Sequence, residues 1–333
     1  MKQQQILKTR EKSVSKANIA VLGAGGLGMA AARMIAGKKE MKLVAIADKS
    51  GCLVDLDGIE PNSLGNKKPG DVGEKTDDAI GAIIKNSDSF DGIFIALPNL
   101  TNEFIPQVAL RFAEHGYNGV MVDALKRSQA VEMIFGLDSQ LKDAGITYIT
   151  GAGATPGLLT CAAAIAANSF MEVMSVDINF GVGVGNWESY RATIREDIAH
   201  LEGFDLEKAA SMTCAEIKEE LDRRRGILHL GSMEHADDVL LERAGILSRE
   251  KVKVNGVVDT RNPRKPVSTT MTLTGRTFDG AVSSHRFILG DETTMAANVV
   301  GPALGWVKAG LEFHARGIYG VFGSAEIMPR FVQ

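Results

Sequence analysis

The sequence predicts an α/β protein: a doubly wound parallel sheet followed by a second α+β domain with a largely antiparallel sheet. Three observations predict it. Short apolar runs alternate with helical stretches from residue 17 to residue 150, the pattern of a parallel sheet covered by helices. A glycine-rich turn joins the first run to the first helix. From Val176 to Val182 the apolar residues recur every second position, which marks a strand with one buried face.

Residues 17–23, ANIAVLG, form the first strand. Gly23, Gly25 and Gly28 follow in the order G-A-G-G-L-G, then MAAARMIAG reads as a helix stopped by Gly37. KLVAIAD is the second strand and ends at Asp48, 20 residues beyond Gly28. This is the Rossmann arrangement for a dinucleotide. Gly23 permits the tight turn, Gly25 lets backbone approach a pyrophosphate, and Gly28 lets helix pack on strand. Gly26 and Leu27 open the helix, whose free N–H groups favour phosphate. Asp48 is placed to accept from the ribose hydroxyls. The cofactor is therefore NAD or NADP, with NAD favoured because a carboxylate repels a 2′-phosphate; neighbouring Lys49 and Ser50 work against that preference. The alternative is a tight strand–helix turn with no ligand.

The pattern continues. Residues 51–76 read as a polar loop and 77–87 as a short helix. GIFIALPN (92–99) is a strand, 101–116 a helix capped by Thr101 or Asn102, and GVMVDALK (119–126) a strand. Residues 128–145 form one helix with Ser128 as cap, and ITYIT (146–150) is the last parallel strand. Ligands of such sheets bind outside the strands' carboxyl ends. Asp48, Leu97, Pro98 and Asn99, Asp123 to Lys126 and Gly151 to Gly157 should therefore share one rim. Gly153 joins the cofactor set.

GAGATPGLLTCAAAIAA (151–167) has glycines spaced like a second phosphate turn, but no strand with a terminal acid follows it. Thr155 and Pro156 instead suit a helix N-cap and first position. The turn is read as cap, hinge and active-site wall, with backbone N–H groups free for a ligand. Strands follow at 172–185, 251–259, 268–278 and 281–290, the last two joined by Asp279-Gly280, with helices near 187–200, 206–223 and 235–245. The tail from 293 to 317 reads as helices, with Pro302 ending or kinking one. The expected division is a polar leader (1–16), a nucleotide domain (17–155), a substrate and dimerisation domain (156–295) and a helical tail (296–333) returning to the first domain.

The chain has 333 residues, 45% apolar and 23% charged, with net charge −4. That charge gives no field for nucleic acid or an anionic membrane. The apolar run 161–167 is too short to span a bilayer. Three well-separated cysteines and a polar start point to the cytoplasm. No metal is expected: MEHADD (233–238) gathers Glu234, His235 and Asp238, but no HExxH or paired CxxC pattern occurs.

Lys126, in VDALKRS, is the candidate acid or base beside the nicotinamide, its pKa brought toward neutrality by partial burial or a nearby cation. The alternatives are a solvent-facing loop lysine, or Arg127 as the inward-pointing residue. Asp123 hydrogen-bonds the lysine or caps the next turn. In NWESYRATIREDIAH (186–200), Arg191 and Arg195 stand at i and i+4, so both forks reach one carboxylate, or else they pair with neighbouring acids on an exposed helix. Asn186 and Tyr190 supply hydrogen bonds, and Thr155 lines the same site.

These blocks, AVLGAGGLG with Asp48, ALPN, VDALKR, TGAGATPGLLT, NWESYRATIRED, MEHADD, GVVDTRNPRKP and GDETTMAANVVGPA, resemble the saccharopine dehydrogenase-like oxidoreductases of the short cyanobacterial type. The resemblance covers residue 17 to the C-terminus. It implies an NAD(P)-dependent enzyme acting at a C–N bond of an amino-acid-derived carboxylate, with cofactor on Gly23, Gly25, Gly28 and Asp48. Pro156 and Gly157 match the family's Pro-Gly turn. Thr155 stands where the wider family often has an aspartate, which puts a saccharopine-type substrate in doubt. A small-molecule carboxylate and a second copy of the chain, as a homodimer, are the expected partners. The other readings are a sugar or hydroxy-acid dehydrogenase and a non-catalytic dinucleotide-binding protein.

Overall fold

In a computed structural model, residues 16–99, 101–290 and 295–333 are described. Residues 1–15 of the leader and 291–294 of the GDETTMAANVVGPA block lie outside them. The first sheet holds β1 (Ala17–Leu22), β2 (Met41–Asp48), β3 (Gly51–Val54), β4 (Glu74–Lys75), β5 (Gly92–Ile95), β6 (Val120–Asp123), β7 (Thr147–Thr150) and β13 (Gly320–Gly323). Their order is β13-β7-β6-β5-β1-β2-β3-β4. From β13 to β2 every pairing is parallel, while β3 and β4 add an antiparallel edge.

Strand alternation decides which side chains meet which helices. Ile19 and Val21 of β1, with Phe94 and Val122, pack against Ala31 and Ile35 of α1 (Gly26–Gly37) and against Leu304, Trp306 and Val307 of the long C-terminal helix Met295–His314. Ala20 and Leu22, with Ile93, Ile95 and Met121, face the other way. They meet Ile83 of α3 (Ala79–Ile84), Val108 and Phe112 of α4 (Phe104–Glu114) and Ile134 of α5 (Ser128–Phe135). The C-terminal helix thus shares one face of the first sheet with α1. Its Lys308 pairs with Glu40 at 2.7 Å.

The second sheet has five strands: β8 (Glu172–Gly183), β9 (Ile227–Leu230), β10 (Val252–Asp259), β11 (Thr270–Arg276) and β12 (Val282–Ile288), in the order β12-β11-β8-β10-β9. Its central pair, β8 and β10, is parallel, and the other pairings are antiparallel. α7 (Leu158–Ala167) covers one part of its inner face. α8 (Arg191–Ala199), α9 (Leu206–Ser211) and α10 (Cys214–Arg223) cover the rest.

Several local expectations change. Residues 51–76 are not simply loop: Gly51, at φ 136°, turns the chain back so that Gly51–Val54 pairs with β2, and α2 (Pro69–Val72) follows. Residues 128–145 form two helices, α5 and α6 (Asp138–Asp143), separated at Gly136. Ser128 is inside α5 and donates to Asp238 instead of capping. Neither Thr101 nor Asn102 caps α4, which starts at Phe104. Residues 206–223 split where Thr213 and Glu216 cap α10. The tail helix, α12, runs from Met295 through Pro302 to His314.

Trp306 is fully buried, and its indole N–H donates to the Ile327 carbonyl at 2.7 Å. Trp306→Ala should lower unfolding free energy by about 3–5 kcal/mol, read from the midpoint of chemical denaturation.

Candidate active site

The sheet order reverses between β1 and β5, which opens a crevice at their carboxyl ends. The glycine turn sits there, its Gly23 N–H bonded to Ala47 O and Ala96 N–H to Leu22 O. A Cβ on Gly28 would lie 1.8 Å from Gly23 O, so packing demands that glycine. Gly25 differs: a Cβ there would meet nothing within 4 Å. Gly25 is the N-cap of α1 and supplies no side-chain cap, so the first turn's N–H groups have no capping side chain, and Gly25 and Gly26 are exposed. Asp48 ends β2, and its Oδ1 accepts from the Ser50 N–H at 2.8 Å and the Ser50 hydroxyl at 2.5 Å. Leu97, Pro98 and Asn99 follow β5. The Asn99 side-chain amide is buried, with neither O nor N hydrogen-bonded among the described residues. An open turn, an uncapped helix N-terminus and an unsatisfied amide on one rim fit a bound dinucleotide.

Asp123, the last residue of β6, is fully buried. It accepts from Leu125 N–H, Gly151 N–H, Tyr148 OH and Thr150 OH at 2.9–3.1 Å. Burial raises its pKa against the pull of those donors. None of these bonds goes to Lys126, so Asp123 braces the strand ends instead of exchanging protons with the lysine.

Lys126 lies just past β6. Its Nζ is 3.0 Å from Glu196 and 3.4 Å from Asp197, both on α8. Burial opposes its charge, but the two carboxylates outweigh burial and hold its pKa well above the ordinary lysine value. The expected lowering toward neutrality is thereby reversed, because acids some seventy residues away face the ammonium. Arg127 is the more buried neighbour, 3% exposed, with Glu234 at 3.5 Å.

Behind Lys126 the MEHADD segment is fastened to the rim. Ala236 N–H donates to Lys126 O at 2.8 Å. His235 (3% exposed) bonds through Nδ1 to Asp237 (0%) at 2.7 Å. Asp237, the first residue of α11 (Asp237–Arg243), also accepts from Thr155 OH at 2.7 Å and Thr160 OH at 2.5 Å. Among the described residues, no group of three His, Cys, Asp or Glu side chains is arranged to hold a metal.

Thr155 is therefore not the N-cap. Gly157 takes that position at φ 127°, and Thr160 Oγ1 accepts its N–H. The N–H groups of Gly151, Ala152, Gly153, Gly157, Leu158 and Leu159 are all bonded within the protein, so these are not free for a ligand. Gly153 donates to Pro156 O and is buried.

The two arginines do not converge on an open carboxylate site. Arg191 donates to Glu188 O and to Cys214 Sγ. Arg195 donates to Met212 O at 2.7 Å. Both brace the α9–α10 junction, because the residues before α8 form a 3-10 turn, Trp187–Tyr190, that sets the helix across that junction. Tyr190 instead reaches the nucleotide turn: its ring would lie 3.3 Å from a Cβ on Gly26. Asn186 is exposed just ahead of it. Sequence reasoning weighed Glu196 and Asp197 only as partners of the two arginines, missed Thr160, and weighed His235 only as a metal ligand. The signal for the acids was present in RATIRED, and His235 and Asp237 stand two residues apart.

A family model described as Glutamate/Leucine/Phenylalanine/Valine dehydrogenase matches residues 2–80. A protein of Haloferax mediterranei named "(S)-8-amino-7-oxononanoate synthase BioU" is 43% identical, with 94% of this chain and 99% of that one aligned. The chain belongs to the BioU family. That membership, and not the saccharopine label, is the family assignment the comparisons carry. Among solved structures, an engineered D-amino acid dehydrogenase bound to NADP+ aligns with TM-score 0.58 at 16% identity, covering 96% of this chain and 95% of that one. The DAP dehydrogenase of C. glutamicum aligns with TM-score 0.56 at 17% identity, covering 96% and 94%. This BioU-family chain shares the fold of those dehydrogenases. Among its described residues, no helix is long and apolar enough to cross a membrane.

His200 yields a pH test. Burial, then the charges of Lys126, Arg127 and His235, lower its pKa from 6.5 to about 4. The unfolded chain therefore binds a proton there that the folded chain refuses, and stability falls as pH drops from 6.5 to about 4. His200→Gln should lose less melting temperature than the parent across that window, measured by thermal denaturation at stepped pH.

Proposed function

We propose that the chain is an NAD(P)-dependent oxidoreductase that moves hydride at a C–N bond of a small amino carboxylate. The observation that carries this reading is the meeting, on one strand rim, of the open glycine turn and the Lys126–Glu196–Asp197 cluster. The relative is named for an amino-oxo carboxylate, and we take that chemical class, an amine beside a carbonyl on an acid chain, as substrate or product here. A bound NAD or NADP supplies or accepts the hydride.

The turn from Gly23 to Gly28 would hold the pyrophosphate, Asp48 the ribose hydroxyls, and the stretch Leu97 to Asn99 the nicotinamide half, where the Asn99 amide lacks partners. Asp48 favours NAD over NADP by repelling a 2′-phosphate. Tyr190 covers the turn from the second sheet's side. Lys126, held as an ammonium, donates to the substrate's carbonyl oxygen or imine nitrogen and favours charge developing there. Glu196 and Asp197 hold that ammonium in place.

A panel of amino-oxo carboxylates, amino acids and hydroxy acids, followed by nicotinamide absorbance, tests the reading; turnover confined to hydroxy acids would overturn it. Asp48→Ala should weaken NADH binding about tenfold, near 1.4 kcal/mol, measured by nicotinamide fluorescence. Lys126→Met should lower kcat by about 10²–10⁴-fold in the absorbance assay.

A further inference from the structure

We propose that β12 is the seat of self-association: two copies of this chain join edge to edge about a two-fold axis at His285 and run their second sheets into one. The sheet of each copy has five strands, with β12 at its end.

β12 differs from the other edge strands. β4 is two residues long and charged at both, Glu74 and Lys75. β9 and β13 have four residues each. Short or charged edges resist pairing with a foreign strand. β12 has seven residues, VSSHRFI, with neither proline nor lysine, and its register with β11 is unbroken. Every one of the seven is exposed. Val282 and Ile288 are more than half exposed, Phe287 is exposed beside them, and Phe278, on the turn before the strand, is 89% exposed. A long, regular edge with apolar side chains in water is a template for another strand.

The direction of the backbone groups limits the registers. At one end the Leu289 N–H donates to the Thr269 carbonyl, and at the other the Ala281 carbonyl accepts from the Thr277 N–H, both at 2.9 Å. Odd-numbered residues thus turn their N–H and C=O groups toward β11. Backbone groups alternate sides along an antiparallel strand, so those of Val282, Ser284, Arg286 and Ile288 point away from the sheet. A second copy can bond only where its own even-numbered residues face these. Axes at Ser284, His285 and Arg286 satisfy this with the greatest overlap.

The side chains choose among the three. Even-numbered residues of β12 pair with Thr270, Thr272, Thr274 and Arg276, on the face away from Met271 and Leu273 and the core they enter. An axis at Arg286 would set that guanidinium directly opposite its copy, and like charges so placed repel. An axis at Ser284 would set Val282 against Arg286 and carry Ile288 past the end of the partner strand. An axis at His285 sets Val282 against Ile288 and Ser284 against Arg286, each pair exchanging two backbone bonds. On the other face it sets Ser283 against Phe287 and His285 against its copy. Phe170, just past α7, backs the His285 ring at 5.3 Å between centroids, so the middle of the strand is supported from within its own chain.

The contact is isologous, because each copy offers the same seven residues. It therefore closes at two copies and does not propagate into a fibre. A strand of this length spans about 24 Å, a modest interface, so the dimer is reversible and dissociates on dilution.

Sedimentation velocity of the full chain over a range of concentrations tests the pairing, with Ser284→Pro and Ile288→Lys as variants. The parent should pass from the mass of one chain to that of two as concentration rises. The Ser284 N–H points outward, where proline is tolerated on an edge strand, so Ser284→Pro should keep the parent's circular dichroism and remain a monomer. Ile288→Lys should do the same without touching the backbone. A cysteine cross-link reads the register. In a Cys214→Ser background, which removes the exposed native thiol, His285→Cys places two thiols on facing residues of a non-hydrogen-bonded pair. Their Cα atoms are about 4.5 Å apart, within disulfide reach. Mild oxidation should join that variant into a covalent dimer, while Ser283→Cys in the same background should stay mostly uncrosslinked. A parent that is monomeric at every concentration overturns the proposal. So does a dimer that survives both Ser284→Pro and Ile288→Lys, or one in which Ser283→Cys cross-links as readily as His285→Cys.

Discussion

The buried carboxylate of Asp123 fixes the carboxyl ends of β6 and β7, and the functional residues hang from those two ends. With two donors from β7 side chains and two from backbone N–H groups, it ties the start of the Lys126 loop to the start of the 151–157 turn. A carboxylate without such donors could not remain buried there. Because both loops leave from one fixed point, Lys126 and Thr155 keep their spacing, and the MEHADD segment bonds to both.

Charge is divided between the two halves of the chain. The strand rim of the first sheet contributes cations, Lys126 and Arg127, while acids come from the second half: Glu196, Asp197 and Glu234. Arg127 and Asp197, the most buried of these charges, could not be buried alone without a large desolvation cost. The mutual pairing of cations and acids gives the two halves a reason to meet at this place. The same pairing makes Lys126 a fixed positive charge.

Local features of the site were legible and distant ones were not. The β1–α1 turn, its glycines and Asp48 lie within about thirty residues, and sterics alone determine their geometry, so the first sheet's order of strand, turn and helix could be read directly. The two arginines of α8 show the limit. Their i, i+4 spacing is correct for a shared face, yet their partners, Met212 and Cys214, belong to another element. Lys126 shows it again, since the sign of its pKa shift depends on α8. Ile227–Leu230 and Gly320–Gly323 are strands only because neighbouring strands offer them hydrogen bonds; four residues carry too little periodicity to announce themselves. Thr155 was placed as a cap because its type fits, but a competing acceptor, Asp237, claims its hydroxyl.

The pairing of β13 with β7 has a consequence for assembly. This strand and the helix before it complete the sheet that starts at Ala17, and the Lys39 N–H donates to the Gln333 carbonyl at 2.6 Å. About 170 residues therefore separate the paired strands β7 and β13, and nearly three hundred separate Lys39 from Gln333. On a ribosome, the nucleotide half is synthesised first yet waits, with the part of one face that residues 295–314 cover still open, until those residues emerge. Such non-local closure slows folding and leaves the nascent half with apolar surface that a chaperone would recognise.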